Sequence, residues 1–204
     1  GAVVDLNECE QAVRQAVALA ERMAKVRVES VLLSVSAGRL QGDMVEASSE
    51  LRGGGVTPAD MSRVISAGMH HATPRGRTVL HVLPASYSLD GVKGVRDPSG
   101  MVARHFGIDM NVMTADATAA KNLMLVVERC HLNVEAMAAA PYVSGLSVLT
   151  DDEADLGAAV VEMGAGTTTI ATYSAGQCVH ASGFAVGGQH ITMDLARGLG
   201  ACIA

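Results

Sequence analysis

The run Ala158-Ala-Val-Val-Glu162-Met-Gly164-Ala165-Gly166-Thr167-Thr168-Thr-Ile-Ala-Thr-Tyr173 contains the residue types from which an anion site is built. Apolar residues lead into Glu162, a Gly-Ala-Gly turn reverses the chain, and a Thr-rich alternation leads away. Glycine has no side chain and reaches positive φ, so Gly164 and Gly166 would let the N–H groups of the turn converge on a phosphate. Thr167 and Thr168 would add hydroxyl donors. The same pattern also closes ordinary hairpins. The turn alone leaves both readings open, and the elements around it must decide.

The 204 residues suit one large domain or two small ones, and 49% hydrophobic content is ample for a core. A formal net charge of -6, with 2% aromatic residues and no Trp, offers neither a basic field nor stacking platforms, which argues against nucleic acid as a partner. The cysteines Cys9, Cys130, Cys178 and Cys202 make no C-x-x-C pair, so neither a zinc site nor a disulfide framework is indicated and a reducing cytoplasm is the simplest setting. No apolar run has the length of a membrane span, and the start carries no signal-peptide pattern. The last residues, Leu199 to Ala204, follow closely on the start of a helical pattern, so the chain is expected to be part of a longer protein.

The elements that must position the turn are read from periodicity and caps. Asp5 with Glu8 reads as a capping box for a helix whose stripe Leu6, Cys9, Val13, Ala16, Val17, Ala20 and Met23 is expected to face a core. Val28 to Val35 reads as a largely buried strand. From Gly38 the texture changes. Thr57-Pro58-Ala-Asp60 opens a helix carrying Met61, Val64, Ile65 and Met69. Two strands, Arg77 to Leu83 and Ala85 to Leu89, are expected on either side of Pro84; Asp90-Gly91, Gly94 and Asp97 to Gly100 read as loops, and Ile108 to Met113 as a strand. The stretch 38–109 is therefore read as a small inserted α/β subdomain. Its His70, His71 and His81 lack further ligands and are expected at the surface or at helix ends, and its arginines on a solvated face. A helix capped by Thr114 or Asp116, a strand at Val134 to Ala138, a helix opened by Pro141 and an acidic link at Thr150 to Asp155 follow. After the hairpin come a Gly176 turn, a strand from Gln177 to Val186, Gly187-Gly188, and a helix carrying Ile191, Asp194, Leu195 and Leu199. That helix N-terminus is expected to favour negative charge near the glycine turn.

In this order the segments resemble FtsA, the bacterial cell-division family of the actin, sugar-kinase and heat-shock-chaperone superfamily. Val160-Val-Glu-Met-Gly-Ala-Gly-Thr-Thr-Thr-Ile-Ala171 is similar to the superfamily's second phosphate motif. Val79-Leu-His-Val-Leu-Pro84 with Tyr87, Asp116 to His131, Ser147-Val-Leu-Thr-Asp-Asp-Glu153 and Gly187-Gly-Gln-His-Ile-Thr-Met-Asp-Leu-Ala196 are similar to FtsA segments in FtsA order. The wording of Gly187 to Thr192 and of Ala138-Ala-Ala-Pro-Tyr142 is similar to alphaproteobacterial members.

The resemblance implies an α/β, actin-like (ribonuclease H-like) fold, incomplete here. Residues 1–37 would begin subdomain 1A, 38–109 form the inserted subdomain 1C, 110–154 return to 1A, and 155–204 start subdomain 2A. It implies an ATP-binding protein that polymerises into filaments and links FtsZ, among other divisome proteins, to the inner face of the membrane at the division site. The principal FtsZ contact, in subdomain 2B, and the amphipathic C-terminal membrane helix lie outside this chain. In the cofactor site for ATP and Mg2+, the resemblance gives Gly164, Ala165, Gly166, Thr167 and Thr168 the phosphate cradle, with Gly187 and Gly188 passing close to the nucleotide. Glu162 takes the place of an Asp that helps order magnesium-bound or attacking water. Its extra methylene, and Thr169 where many relatives have Asp, imply a structural nucleotide and at most weak hydrolysis. The segment alone is expected to bind ATP weakly or not at all. The rival readings are a PilM-like scaffold, a heat-shock-type chaperone, or a small-molecule kinase, the last of which would need a substrate cleft and a general base.

Overall fold

A computed structural model describes residues 3–51 and 53–202. The chain starts with helix α1 (Leu6–Ala24), where the Asp5 carboxylate accepts the N–H groups of Asn7 at 2.7 Å and Glu8 at 2.9 Å. The apolar stripe of α1 is only half used. Cys9, Val13 and Val17 are partly buried, whereas Met23 is 85% exposed. Strand β1 (Ser30–Val35) is likewise more open than a buried run would be, with Leu32 exposed. Among the described residues its ladder partner is β6 (Asn133–Ala139), in a two-stranded parallel pair that leaves an edge and a face uncovered.

Strand β2 (Gln41–Glu50) occupies a stretch whose short alternation of Val45, Ala47 and Ser49 with charged residues carries little sequence signal. Helix α2 (Pro58–Ala72) starts where Thr57 and Pro58 were expected to place it; Asp60, expected only as an acid at the positive helix end, forms a capping box with Thr57, each bonding the other's backbone N–H, with Pro58 in the first turn. Arg77 to Leu89 is one strand, β3, where two were expected. Pro84 is tolerated because it pairs with β5 (His105–Asp116) beside a bulge, and the short β4 (Val92–Val95) reaches only Tyr87 to Leu89 on the other side. Asp90 and Gly91, both at positive φ, are the two-residue turn of the β3–β4 hairpin, so part of the expected loop is strand.

Helix α3 (Ala117–Arg129) is capped by Asp116, whose carboxylate accepts the Ala119 N–H at 2.8 Å; Thr114 belongs to β5. Helix α4 (Ala140–Val148) follows β6 directly and has Pro141 in its first turn. The acidic link is a short exposed helix, α5 (Asp151–Leu156), held by a Thr150–Glu153 capping box. Strands β7 (Ala158–Met163), β8 (Thr168–Ser174) and β9 (Gln177–Phe184) and helix α6 (Gly188–Leu199) complete the order.

Seven strands form one antiparallel sheet in the order β4-β3-β5-β2-β9-β8-β7. The insert strands thus run into the hairpin strands, joined where Gln41 and Gly42 meet Ser182 and Ala181. β5 is buried on both faces, and its period-2 alternation separates two cores. Phe106, Ile108, Met110 and Val112 meet Val64 and Val56 under α2, while Met113 joins Leu40, Ala139, Tyr173 and Ala181.

Candidate functional site

In the hairpin, Glu162 pairs with Thr169 and Met163 with Thr168, and the Gly164 N–H donates to the Thr167 carbonyl at 2.8 Å to close the turn. Neither Gly164 nor Gly166 takes positive φ, contrary to expectation. Absence of a side chain matters instead at Gly187: a Cβ there would lie 2.4 Å from the Gly164 carbonyl oxygen and 2.7 Å from that of Ala165. That close approach lets the Gly188 N–H reach the Gly164 carbonyl at 2.9 Å and the Gln189 N–H reach the Ala165 carbonyl at 2.8 Å.

These bonds orient the turn. In a trans peptide the carbonyl and the following N–H point in opposite directions. With the Gly164 and Ala165 carbonyls drawn onto α6, the N–H groups of Ala165 and Gly166 are turned away from it. Together with the Thr167 N–H, they have no hydrogen-bond partner among the described residues. Successive free N–H groups in a turn form an anion-binding concavity. The first N–H groups of α6, expected to face negative charge, are spent on the turn, so Gly187 and Gly188 brace the cradle from behind.

The hydroxyls divide in the same way. Thr168 is 6% exposed and donates to the Val186 carbonyl at 2.7 Å, which corrects its expected place among the free donors. Thr167 Oγ1 lies 3.4 Å from Ser36 Oγ, and the two open onto a cleft of about 430 Å³. Gly38, shortly after β1, and Asp116, the last residue of β5 and the cap of α3, line the cleft together with Gly183 and Phe184 at the end of β9. Ser36 escaped notice in the sequence. Its signal was a Ser-Ala-Gly stop directly after a strand, which by itself reads as punctuation.

Glu162 neither faces open solvent nor stands in the cleft mouth. It is half-buried, and its Oε2 accepts from Ser144 Oγ on α4 at 3.2 Å and from Thr169 Oγ1 at 3.4 Å. Ser144 is a second partner that sequence reading missed, since it lies eighteen residues away on another element. Tyr173 on β8 donates to the Tyr142 carbonyl at 2.8 Å, and burial pushes its phenol far above the usual range. Burial likewise pushes the neighbouring Cys178 thiol up to about 11.

The insert histidines part company. His70 and His71 are exposed in the last turn of α2, as expected. His81 is instead half-buried: its Nε2 accepts the Ala139 N–H at 2.9 Å, its ring is tilted on Tyr142 with centroids 4.9 Å apart, and burial holds its pKa below the ordinary value. Arg77 is not part of a solvated face either. Its guanidinium donates to Thr114 Oγ1 at 2.7 Å and to the carbonyls of Arg39 and Thr114 at 2.8 Å. Among the described residues no three His, Cys, Asp or Glu side chains are grouped to hold a metal ion, and no helix is long and apolar enough to cross a membrane.

Comparison with known proteins gives two family matches: residues 37–114 match "SHS2 domain inserted in FTSA", and residues 159–204 match "Cell division protein FtsA". Cell division protein FtsA of Rhizobium meliloti is 48% identical over 199 residues, covering 98% of this chain and 45% of the relative. FtsA of Escherichia coli K12 is 33% identical over 204 residues, covering 98% of this chain and 48% of the relative. Among solved structures, a chain of a PilM–PilN type IV pilus biogenesis complex superposes with a TM-score of 0.65 at 14% identity, covering 99% of this chain and 55% of that one. That likeness concerns fold alone, and with the inserted domain it fits the actin-like α/β fold. The chain belongs to the FtsA family, and it spans about half the length of the curated relatives it matches.

Proposed function

We propose that this chain carries the phosphate-facing part of an ATP site in a cell-division scaffold of the FtsA type. The observation that carries the reading is the free N–H groups of Ala165, Gly166 and Thr167, held outward by α6 in a segment that matches the family. Backbone N–H groups with the Thr167 and Ser36 hydroxyls form a donor set suited to phosphate oxygens and poorly suited to a bare cation. Magnesium supplies charge neutralisation to the phosphates when bound. By the family resemblance Glu162 would hold its water shell from a position set back from the cleft mouth, where Ser144 and Thr169 fix the carboxylate, while Asp116 is the acid that lines the cleft itself.

In this reading the nucleotide is a structural ligand. The longer Glu162 and the Thr at 169 leave the hairpin without the short acids of a hydrolytic site, so the complete protein turns ATP over slowly and uses it to set a polymerising conformation. Filaments of that conformation would tether FtsZ to the inner face of the membrane at the division site, through parts of the protein beyond this chain.

Titration of the full-length protein with ATP and magnesium in a calorimeter tests the site: saturable binding is expected, and its absence overturns the reading. Phosphate release at a rate typical of sugar kinases would overturn the structural-ligand role. Sedimentation with anionic vesicles and FtsZ tests the scaffold, with ATP-dependent co-sedimentation expected. Phosphorylation of a small molecule in a substrate screen would favour the kinase alternative.

A further inference from the structure

The phosphate hairpin and the insert are both fastened to α4. On the hairpin side, Ser144 donates to Glu162 of β7, and the Tyr173 hydroxyl of β8 donates to the Tyr142 carbonyl. Tyr173 fills a notch made by Gly145: a Cβ there would lie 2.1 Å from the Tyr173 oxygen and 2.4 Å from the ring carbon bearing it. On the insert side, His81 of β3 accepts the N–H of Ala139, the residue that caps α4, and its ring rests on Tyr142. Tyr142 therefore touches both sides, its carbonyl meeting the hairpin and its ring meeting the insert.

We propose that α4 couples the phosphate turn to the insert strand β3, with Ser144 and Tyr142 receiving the state of the hairpin and the His81–Ala139 bond passing it on. The inference rests on the reading of the turn as a phosphate site. An anion on the N–H groups of residues 165–167 brings negative charge onto the hairpin that carries the Glu162 carboxylate. Hydroxyl donors to that carboxylate then stabilise the loaded hairpin more than the empty one, which draws β7 and β8 toward α4. Coupling of this kind is reciprocal, so whatever loosens β3 from α4 also weakens the hold on the anion. His81 serves only while Nε2 is an acceptor, a requirement that fixes the proton on Nδ1.

The test is amide hydrogen exchange on the full-length protein with and without ATP and magnesium, read at Ala139 and along residues 77–89. In the wild type, ATP is expected to slow exchange there by about fivefold or more, the lower end of ordinary allosteric coupling. Tyr173→Phe removes the hydroxyl and keeps the ring, while His81→Phe removes the acceptor. Both should lose the ATP-dependent slowing, and His81→Gln, whose side-chain oxygen accepts, should restore it. ATP binding to the wild type with unchanged exchange at β3 and Ala139 overturns the coupling and leaves the phosphate site standing. Persistence of the slowing in both variants overturns it equally. Failure of the wild type to bind ATP overturns both readings, and the wild-type arm alone decides should either variant fold poorly.

Discussion

The insert strands and the phosphate hairpin share one sheet, yet they are held in different ways. Under α2 the insert closes a core in which Phe106, Ile108, Met110 and Val64 are all but fully buried. Among the described residues the hairpin has no such cover on its α6 side: that helix buries none of its residues, and Leu195 and Leu199 stand exposed. What holds the turn is backbone hydrogen bonding and the close approach at Gly187. Burial is proportional to area and insensitive to direction, whereas these bonds fix where each N–H points. Among the described residues, burial holds the insert core, and directed hydrogen bonds set the turn of the hairpin.

The largest effect expected from this contrast is Phe106→Ala, which empties the insert core and should cost about 3–5 kcal/mol in denaturant unfolding. A loss no greater than that of a surface substitution would break the comparison. Next come two glycines that lie against side chains. Gly145→Ala puts a methyl group into the Tyr173 ring, which is fixed by its hydrogen bond and cannot move aside. Gly68→Ala puts one against the terminal methyl of Met110, a flexible thioether, although Ala47 Cβ is also only 2.9 Å away. Overpacking at Gly145 should therefore cost about 1–3 kcal/mol in chemical denaturation, and at Gly68 less. Equal losses would show that the notch is not special.

Gly187→Ala sharpens the comparison from the other side. The added carbon meets backbone oxygens, so the turn must shift off α6 and its N–H groups lose their common direction. Full-length protein should lose ATP affinity by about tenfold or more while its unfolding midpoint changes little, since few apolar contacts depend on the turn. A large fall in stability with unchanged affinity would reverse the assignment.

The smallest effect concerns pH. Burial lowers the folded pKa of His81 below the ordinary 6.5, so the folded state favours the neutral ring. The stabilisation is complete above the unfolded pKa and is lost as pH falls through the lower, folded value. Thermal unfolding followed downward from pH 7 should show a fall that His81→Gln removes. An identical slope in both proteins would remove His81 from the joint between insert and α4.

Much of this was legible from local chemistry. Thr57-Pro58-Ala-Asp60 named the start of α2 because a cap, a first-position proline and an acid at the positive helix end act within a few residues, and Pro141 marked α4 for the same local reason. The resemblance carried by Val160 to Ala171 pointed to the family and to the turn. Where sequence reading failed, distant partners had decided. Val28 to Val35 reads as a buried strand, but burial depends on what lies across from it. Pro84 reads as a break, and only the register with β5 and the short reach of β4 show why one strand passes through it.

The sequence by itself determined that residues 158–173 form a hairpin with a glycine turn, because periodicity, β-branching and turn chemistry act over a few neighbouring residues. Tertiary structure alone decided which donors of that turn remain free. The Gly164 and Ala165 carbonyls are claimed by N–H groups more than twenty residues later, Thr168 is claimed by Val186, and Glu162 is claimed by Ser144. A hydrogen-bonding group is available to a ligand only when no other part of the chain has taken it, and that is a property of the assembled fold.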